Sequence, residues 1–123
     1  MNDMDVWRRE LIDEVRTIAN HQMLERLWLG EDPHEVSSYL EEVAHIFDDY
    51  DINGFLLRST DETRLTPQQF AALRRFRDEM AHYVSQIKNE YSNAPDNEFV
   101  LSDPRWKNVM KLAQDFMGAI ENP

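Results

Sequence analysis

Apolar residues recur at intervals of three and four in four stretches of this chain. They are Trp7, Leu11, Val15 and Ile18; Val36, Tyr39, Leu40, Val43, Ile46 and Phe47; Phe70, Leu73, Phe76, Met80, Tyr83, Val84, Ile87 and Tyr91; and Trp106, Val109, Ala113, Phe116 and Ile120. That period gathers each set on one face of an α-helix and turns the intervening polar residues outward. Three starts are marked independently by a capping residue followed by proline: Asp32-Pro33, Thr66-Pro67 and Asp103-Pro104. Proline at the first helical position loses no hydrogen bond, because its missing N–H has no partner there anyway. Glu35 and Gln69 stand three residues after Asp32 and Thr66, which completes two capping-box patterns. Within the first stretch, helix is expected from Asp5 to about Ala19. Asn20 then caps a short second helix that runs through Trp28 and ends at Gly30.

These elements predict an all-α fold: a single domain over residues 1–123, a four- or five-helix bundle with one long acidic loop. The loop is the connection from Asp48 to Leu65, long enough to need a function or partial structure of its own, with Phe55-Leu56-Leu57 expected against the core. A shorter connection runs from Ser92 to Ser102. With 123 residues the chain can bury a core without metal or disulfide, and it has no cysteine. The absence of Cys also removes thiolate ligands and cysteine nucleophiles. The acidic, polar start MNDMDVWRRE lacks the basic and apolar regions of a signal peptide, and no apolar run approaches a membrane span, so a cytoplasmic protein with no membrane partner is expected.

Charge changes the picture more than composition does. The formal net charge is −11, and the segment Glu31–Glu62 alone holds ten acids against Arg58, a net −9. This balance opposes binding to a nucleic-acid backbone and favours a basic protein partner. Arg74, Arg75 and Arg77 on the third long helix are expected to pair with neighbouring acids. Trp28, directly before the acidic segment, is expected to be buried.

Three chemistries can be weighed on spacing. Asp49-Tyr50-Asp51-Ile52-Asn53-Gly54 spells the first half of a calcium loop, but the twelfth position is Thr60 where a bidentate Glu is required. The plainer reading is a solvated turn, with Asn53-Gly54 tolerating positive φ. Carboxylates closing a helix also oppose its dipole, a local cost that invites a functional reason. Two Glu-x-x-His pairs, Glu42/His45 and Glu79/His82, have the spacing used in carboxylate-bridged di-iron bundles. At about 100° per residue, His45 falls about 200° from Val43 and His82 about 180° from Leu73, so both rings are expected to face solvent. No nucleophile elbow or phosphate-binding glycine loop is present. The expectation is therefore a protein with no catalytic residues, no cofactor and no bound metal.

The order of landmarks resembles a family of small helical bacterial immunity proteins, encoded beside polymorphic or contact-dependent growth-inhibition toxins. The residues that carry it are Trp7-Arg8, Gln22, Trp28, Phe47-Asp48-Asp49 and Asp103-Pro104-Arg105-Trp106. The resemblance implies a stoichiometric inhibitor of a cognate toxin. Joined to the charge pattern, it gives a basic nuclease as the expected partner and an acidic contact surface made of Glu41, Glu42, Asp48, Asp49, Tyr50, Asp51, Asp61 and Glu62. The alternative is a regulatory adaptor that uses the calcium-like acidic loop.

Overall fold

A computed structural model describes residues 3–30 and 36–123. Among them the fold is all-α, and no helix is long and apolar enough to cross a membrane. The order is α1 (Asp3–Ala19), α2 (His21–Leu29), α3 (Tyr39–Ala44) continuing into a π-helical turn (His45–Asp49), α4 (Ile52–Leu56), α5 (Thr60–Thr63), α6 (Pro67–Glu90), α7 (Asn97–Ser102) and α8 (Pro104–Glu121). Helix α8 packs on both α6 and α1. Its apolar stripe is correspondingly wide, burying Trp106, Val109, Met110, Ala113, Phe116 and Met117. Two amides lock this triple layer: Gln69 Nε2 donates to the Ala119 carbonyl at 3.0 Å, and Gln114 Nε2 donates to the Ala19 carbonyl at 3.0 Å. At one end Trp28, Tyr39, Tyr83 and Trp106 pack ring against ring with centroids 5.4–6.4 Å apart. Such tilted and edge-to-face pairs suit the aromatic quadrupole as well as the burial of apolar area.

The local start signals act as the sequence predicts. Thr66 Oγ1 accepts from Gln69 N while Gln69 Oε1 accepts from Thr66 N, a reciprocal box with Pro67 at the first helical position. Asp103 caps α8, Asn20 Oδ1 accepts from Met23 N to start α2, and Gly30 closes α2. The Asp32-Pro33 start with Glu35 lies outside the described residues. The helix that follows opens later than expected, at Tyr39, with Ser38 Oγ accepting from Glu41 N. Its stripe is also turned: Tyr39, Glu42 and Ile46 are buried, while Val36 and Leu40 are exposed.

The long connection carries two short helices. Phe55 and Leu56 enter the core, but Leu57 stands 88% exposed. Positive φ occurs at Asp51 (43°) and Arg64 (59°), and at none of the glycines. Asp51 tolerates this left-handed backbone as short polar residues do, and from there its Oδ1 accepts from Gly54 N at 3.0 Å to cap α4. Gly54 is needed for closeness: a Cβ there would lie 2.2 Å from Asp51 Oδ2. Gly54→Ala is expected to expel the capping carboxylate and lower stability by about 0.5–2 kcal/mol, the range for a lost cap, read as a lower thermal midpoint. An unchanged midpoint would show that the cap contributes nothing.

Candidate functional site

Helix α1 has two kinds of residue on its inner side. Leu11, Val15 and Ile18 enter the core, while Asp3, Trp7, Glu10 and Glu14 recur at four, three and four residues along one edge. The π turn after α3 faces that edge. Trp7 Nε1 donates to the Tyr50 carbonyl at the end of the turn and the ring packs edge-on against Phe55. A concavity is thereby lined by Asp3, Val6, Trp7, Glu10, Asp49, Tyr50 and Asp51. A second hollow shares Asp3 and Trp7 with it and is lined further by Asp61, Glu62, Arg58 and Arg64. Arg58 reaches Glu62 at 3.4 Å and Arg64 reaches Asp5 at 3.0 Å, so the second hollow is partly neutralised, whereas no Lys or Arg among the described residues lines the first.

This geometry redistributes the residues expected from sequence. Asp49, Tyr50 and Asp51 share one concavity, and the exposed Asp61 and Glu62 border the neighbouring hollow. Glu41 is exposed. Asp48 lines a different, more apolar groove with Leu40, Val84 and Lys88. Glu42 does not belong to a surface at all: it is 2% exposed, because the buried stripe of α3 runs through positions 39, 42 and 46. The acids that replace it on the rim come from α1, outside the charged block.

Within the calcium-like stretch, Asp51 is engaged as a helix cap and Asn53 Oδ1 accepts from Arg77 Nη1 at 2.9 Å. Both side chains have structural partners, the arrangement expected of a turn. Arg77 also reaches Asp78 at 2.6 Å, while Arg74 lies over the Phe70 ring. Trp28 is buried, as expected.

Beneath the concavity, Glu14 of α1 meets Glu42 of α3. Glu42 Oε1 accepts from Ser37 Oγ. Burial, a hydrogen bond with Glu42 and repulsion from Glu42 and Asp49 push the Glu14 carboxyl up to about 10, so at neutral pH it holds a proton. The Tyr50 phenol is raised by burial and then by the nearby carboxylates of Glu14, Glu10, Asp49 and Glu42. His45, expected to face solvent, instead turns inward with its side chain 35% exposed. Its Nδ1 stands 3.6 Å from Glu14 Oε2 and 3.9 Å from Glu42 Oε1, and its Nε2 stands 3.8 Å from Asp49 Oδ2. The reason is phase: Glu42 is on the core side, and a residue three further on sits only about 60° from it. His82, by contrast, is exposed.

Sequence reasoning missed Glu14 as well as the inward turn of His45. Its signal was position: Glu14 follows Trp7 by seven residues and Leu11 by three, which places an acid on the apolar stripe. The π turn has no comparable sequence mark, although such turns concentrate at functional sites. Comparison with protein-family models, with curated proteins and with solved structures gives no match to this chain.

Proposed function

We propose that this protein is a non-enzymatic binding protein of the immunity type, which neutralises a cationic toxin in the cytoplasm by covering it with the acidic concavity between α1 and the Asp49–Asp51 turn. The observation that supports the reading is the composition of that concavity: Asp3, Glu10, Asp49 and Asp51 surround the half-buried rings of Trp7 and Tyr50. Aromatic anchors inside a charged rim are the anatomy of an energetically concentrated interface. The negative field of this rim accelerates encounter with a positive partner and selects for it. A basic nuclease domain fits this chemistry, because an enzyme that holds phosphates presents a positive face.

The test is co-expression with the C-terminal domain encoded by the adjacent upstream reading frame, followed by association kinetics. The parent protein is expected to relieve growth arrest. Changing Asp49 and Asp51 together to Asn should slow association by about tenfold or more at low salt, since steering accounts for factors of roughly 10 to 1,000. The deficit should shrink as salt shortens the screening length to about 8 Å. Asn caps a helix as well as Asp does, so Asp51→Asn removes charge without removing the start of α4. Asp48→Asn, in the other groove, should have a smaller effect. Equal association rates for the parent and the double variant would end this assignment.

A further inference from the structure

We propose that Glu14, Glu42 and His45 form a binding site for one divalent first-row transition-metal ion, of the Zn²⁺, Co²⁺ or Mn²⁺ class. One potential ligand atom from each of the three lies within 4.8 Å of the other two. A tetrahedral ion with bonds of about 2.0–2.1 Å holds its ligand atoms about 3.4 Å apart, and the 3.6 Å and 3.9 Å separations from His45 Nδ1 are close to that already.

The second observation is independent of the clustering. Glu14 Oε1, Glu42 Oε2 and His45 Nδ1 are all shielded from water and have no hydrogen-bond partner among the described residues. Glu42 is 2% exposed and Glu14 9%. The oxygens nearest Nδ1 are the other two, Glu14 Oε2 and Glu42 Oε1; buried polar atoms are ordinarily satisfied, and an unpartnered oxygen on each carboxyl group beside an unpartnered Nδ1 leaves a place for an occupant. A proton between Glu14 and Glu42 is the competing occupant, but it provides nothing for Nδ1.

The surrounding groups orient the set. Ser37 Oγ donates to Glu42 Oε1, and Asp49 Oδ2 stands 3.8 Å from the other ring nitrogen, Nε2, on the side away from the two carboxyl groups. The ligands come from α1, α3 and the π turn, so an ion would tie the first helix to the segment that bears Asp49 and Tyr50. Two carboxylates and one imidazole select against Ca²⁺ and Mg²⁺, which take oxygen ligands, and no thiolate is present to select Cu(I). Three protein ligands leave a fourth position for water. The site stands on this geometry alone and not on the toxin reading.

Calorimetric titration of chelator-stripped protein with Zn²⁺ and Mn²⁺, together with visible spectroscopy under Co²⁺, tests it. One ion per chain is expected, with d–d bands of a four- or five-coordinate cobalt centre. His45→Ala, at a partly exposed position that should fold normally by circular dichroism, should weaken binding at least a hundredfold. Asp49→Asn should weaken it less than His45→Ala does, since Asp49 stands 3.8 Å from the ring and contributes through its charge alone. His21→Ala, which breaks an exposed pair with Glu25, should leave binding unchanged. The proposal is overturned if neither Zn²⁺, Co²⁺ nor Mn²⁺ saturates a site up to millimolar ion, if His45→Ala binds like the parent, or if Ca²⁺ competes equally.

Discussion

Glu14→Gln is expected to stabilise the metal-free protein, and increasingly so as the pH rises. Unfolded, the Glu14 carboxyl titrates near its ordinary 4.5; folded, burial and then the Glu42 and Asp49 neighbours raise it to about 10. Between those values folding must take up a proton. The sign follows directly: the stability associated with this group is fully present below about pH 4.5 and is lost as pH rises through the folded value near 10. The limiting slope for one proton is about 1.4 kcal/mol per pH unit. A glutamine amide keeps the shape and offers both a donor and an acceptor to Glu42, as the protonated acid does, but requires no proton. The variant should match the parent near pH 4 and exceed it at pH 8, where the parent must still take up a proton on folding, by no more than the roughly 5 kcal/mol that this slope allows over the interval from 4.5. Chemical denaturation at the two pH values measures the difference. A gap that is constant with pH would mean that Glu14 ionises normally in the folded protein.

The same residue shows where sequence and fold part company. Helix starts were legible because capping is decided within four residues: Thr66 and Gln69, Asp103, and Asn20 all act where they were read. The wide stripe of α8 and the long one of α6 were legible because every buried position on them is apolar or nearly so. Around α3 the apolar positions 36, 39, 40, 43, 46 and 47 mark one broad stripe, of which Tyr39 and Ile46 are buried and Val36 and Leu40 are exposed. The buried face is rotated toward Glu42, because the facing edge of α1 presents Glu14 and leaves a polar hole that Glu42 and His45 complete. How far a stripe rotates is a tertiary decision, and it brings His45 inward and takes Glu42 off the surface.

The loop shows the opposite error. DxDxNG spells a turn whose freedom should lie in Asn53-Gly54, yet the left-handed residue is Asp51, and Gly54 is there to let a carboxylate approach. The acidic block was visible in composition, but its partition into exposed Asp49 and Asp51 beside half-buried Tyr50, buried Glu42, and residues on separate grooves is set by the tertiary fold, including a π turn that adds one residue to a helical repeat without changing the residue types.

Asp103→Ala is expected to be the most destabilising exchange of a single polar residue, by about 3–5 kcal/mol, the range for removing one partner of a buried charged network. Asp103 is buried at the junction of α6, α7 and α8 and performs several tasks at once. Its Oδ1 accepts from Arg105 N to start α8, its Oδ2 accepts from the Tyr83 hydroxyl at 3.0 Å, and the Arg105 guanidinium chelates both oxygens. Burial by itself would raise its pKa; the hydrogen bonds from the Arg105 side chain and backbone and from Tyr83 prevail and hold it below the usual carboxylate range. This stabilisation is present above the unfolded carboxyl value of 3.8 and is lost as pH falls through the lower folded one. Alanine leaves the Tyr83 hydroxyl without its acceptor, on a ring packed against Tyr39 and Trp106. Asparagine should restore the cap and one acceptor but not the charge, giving an intermediate loss that no longer depends on pH below 4. Asp103, Trp106 and Trp28 are buried parts of the scaffold, and the Trp7 bond to the Tyr50 carbonyl fixes the end of the π turn against α1. If Asp103→Ala unfolds with the parent's midpoint, the network is not what joins the three helices.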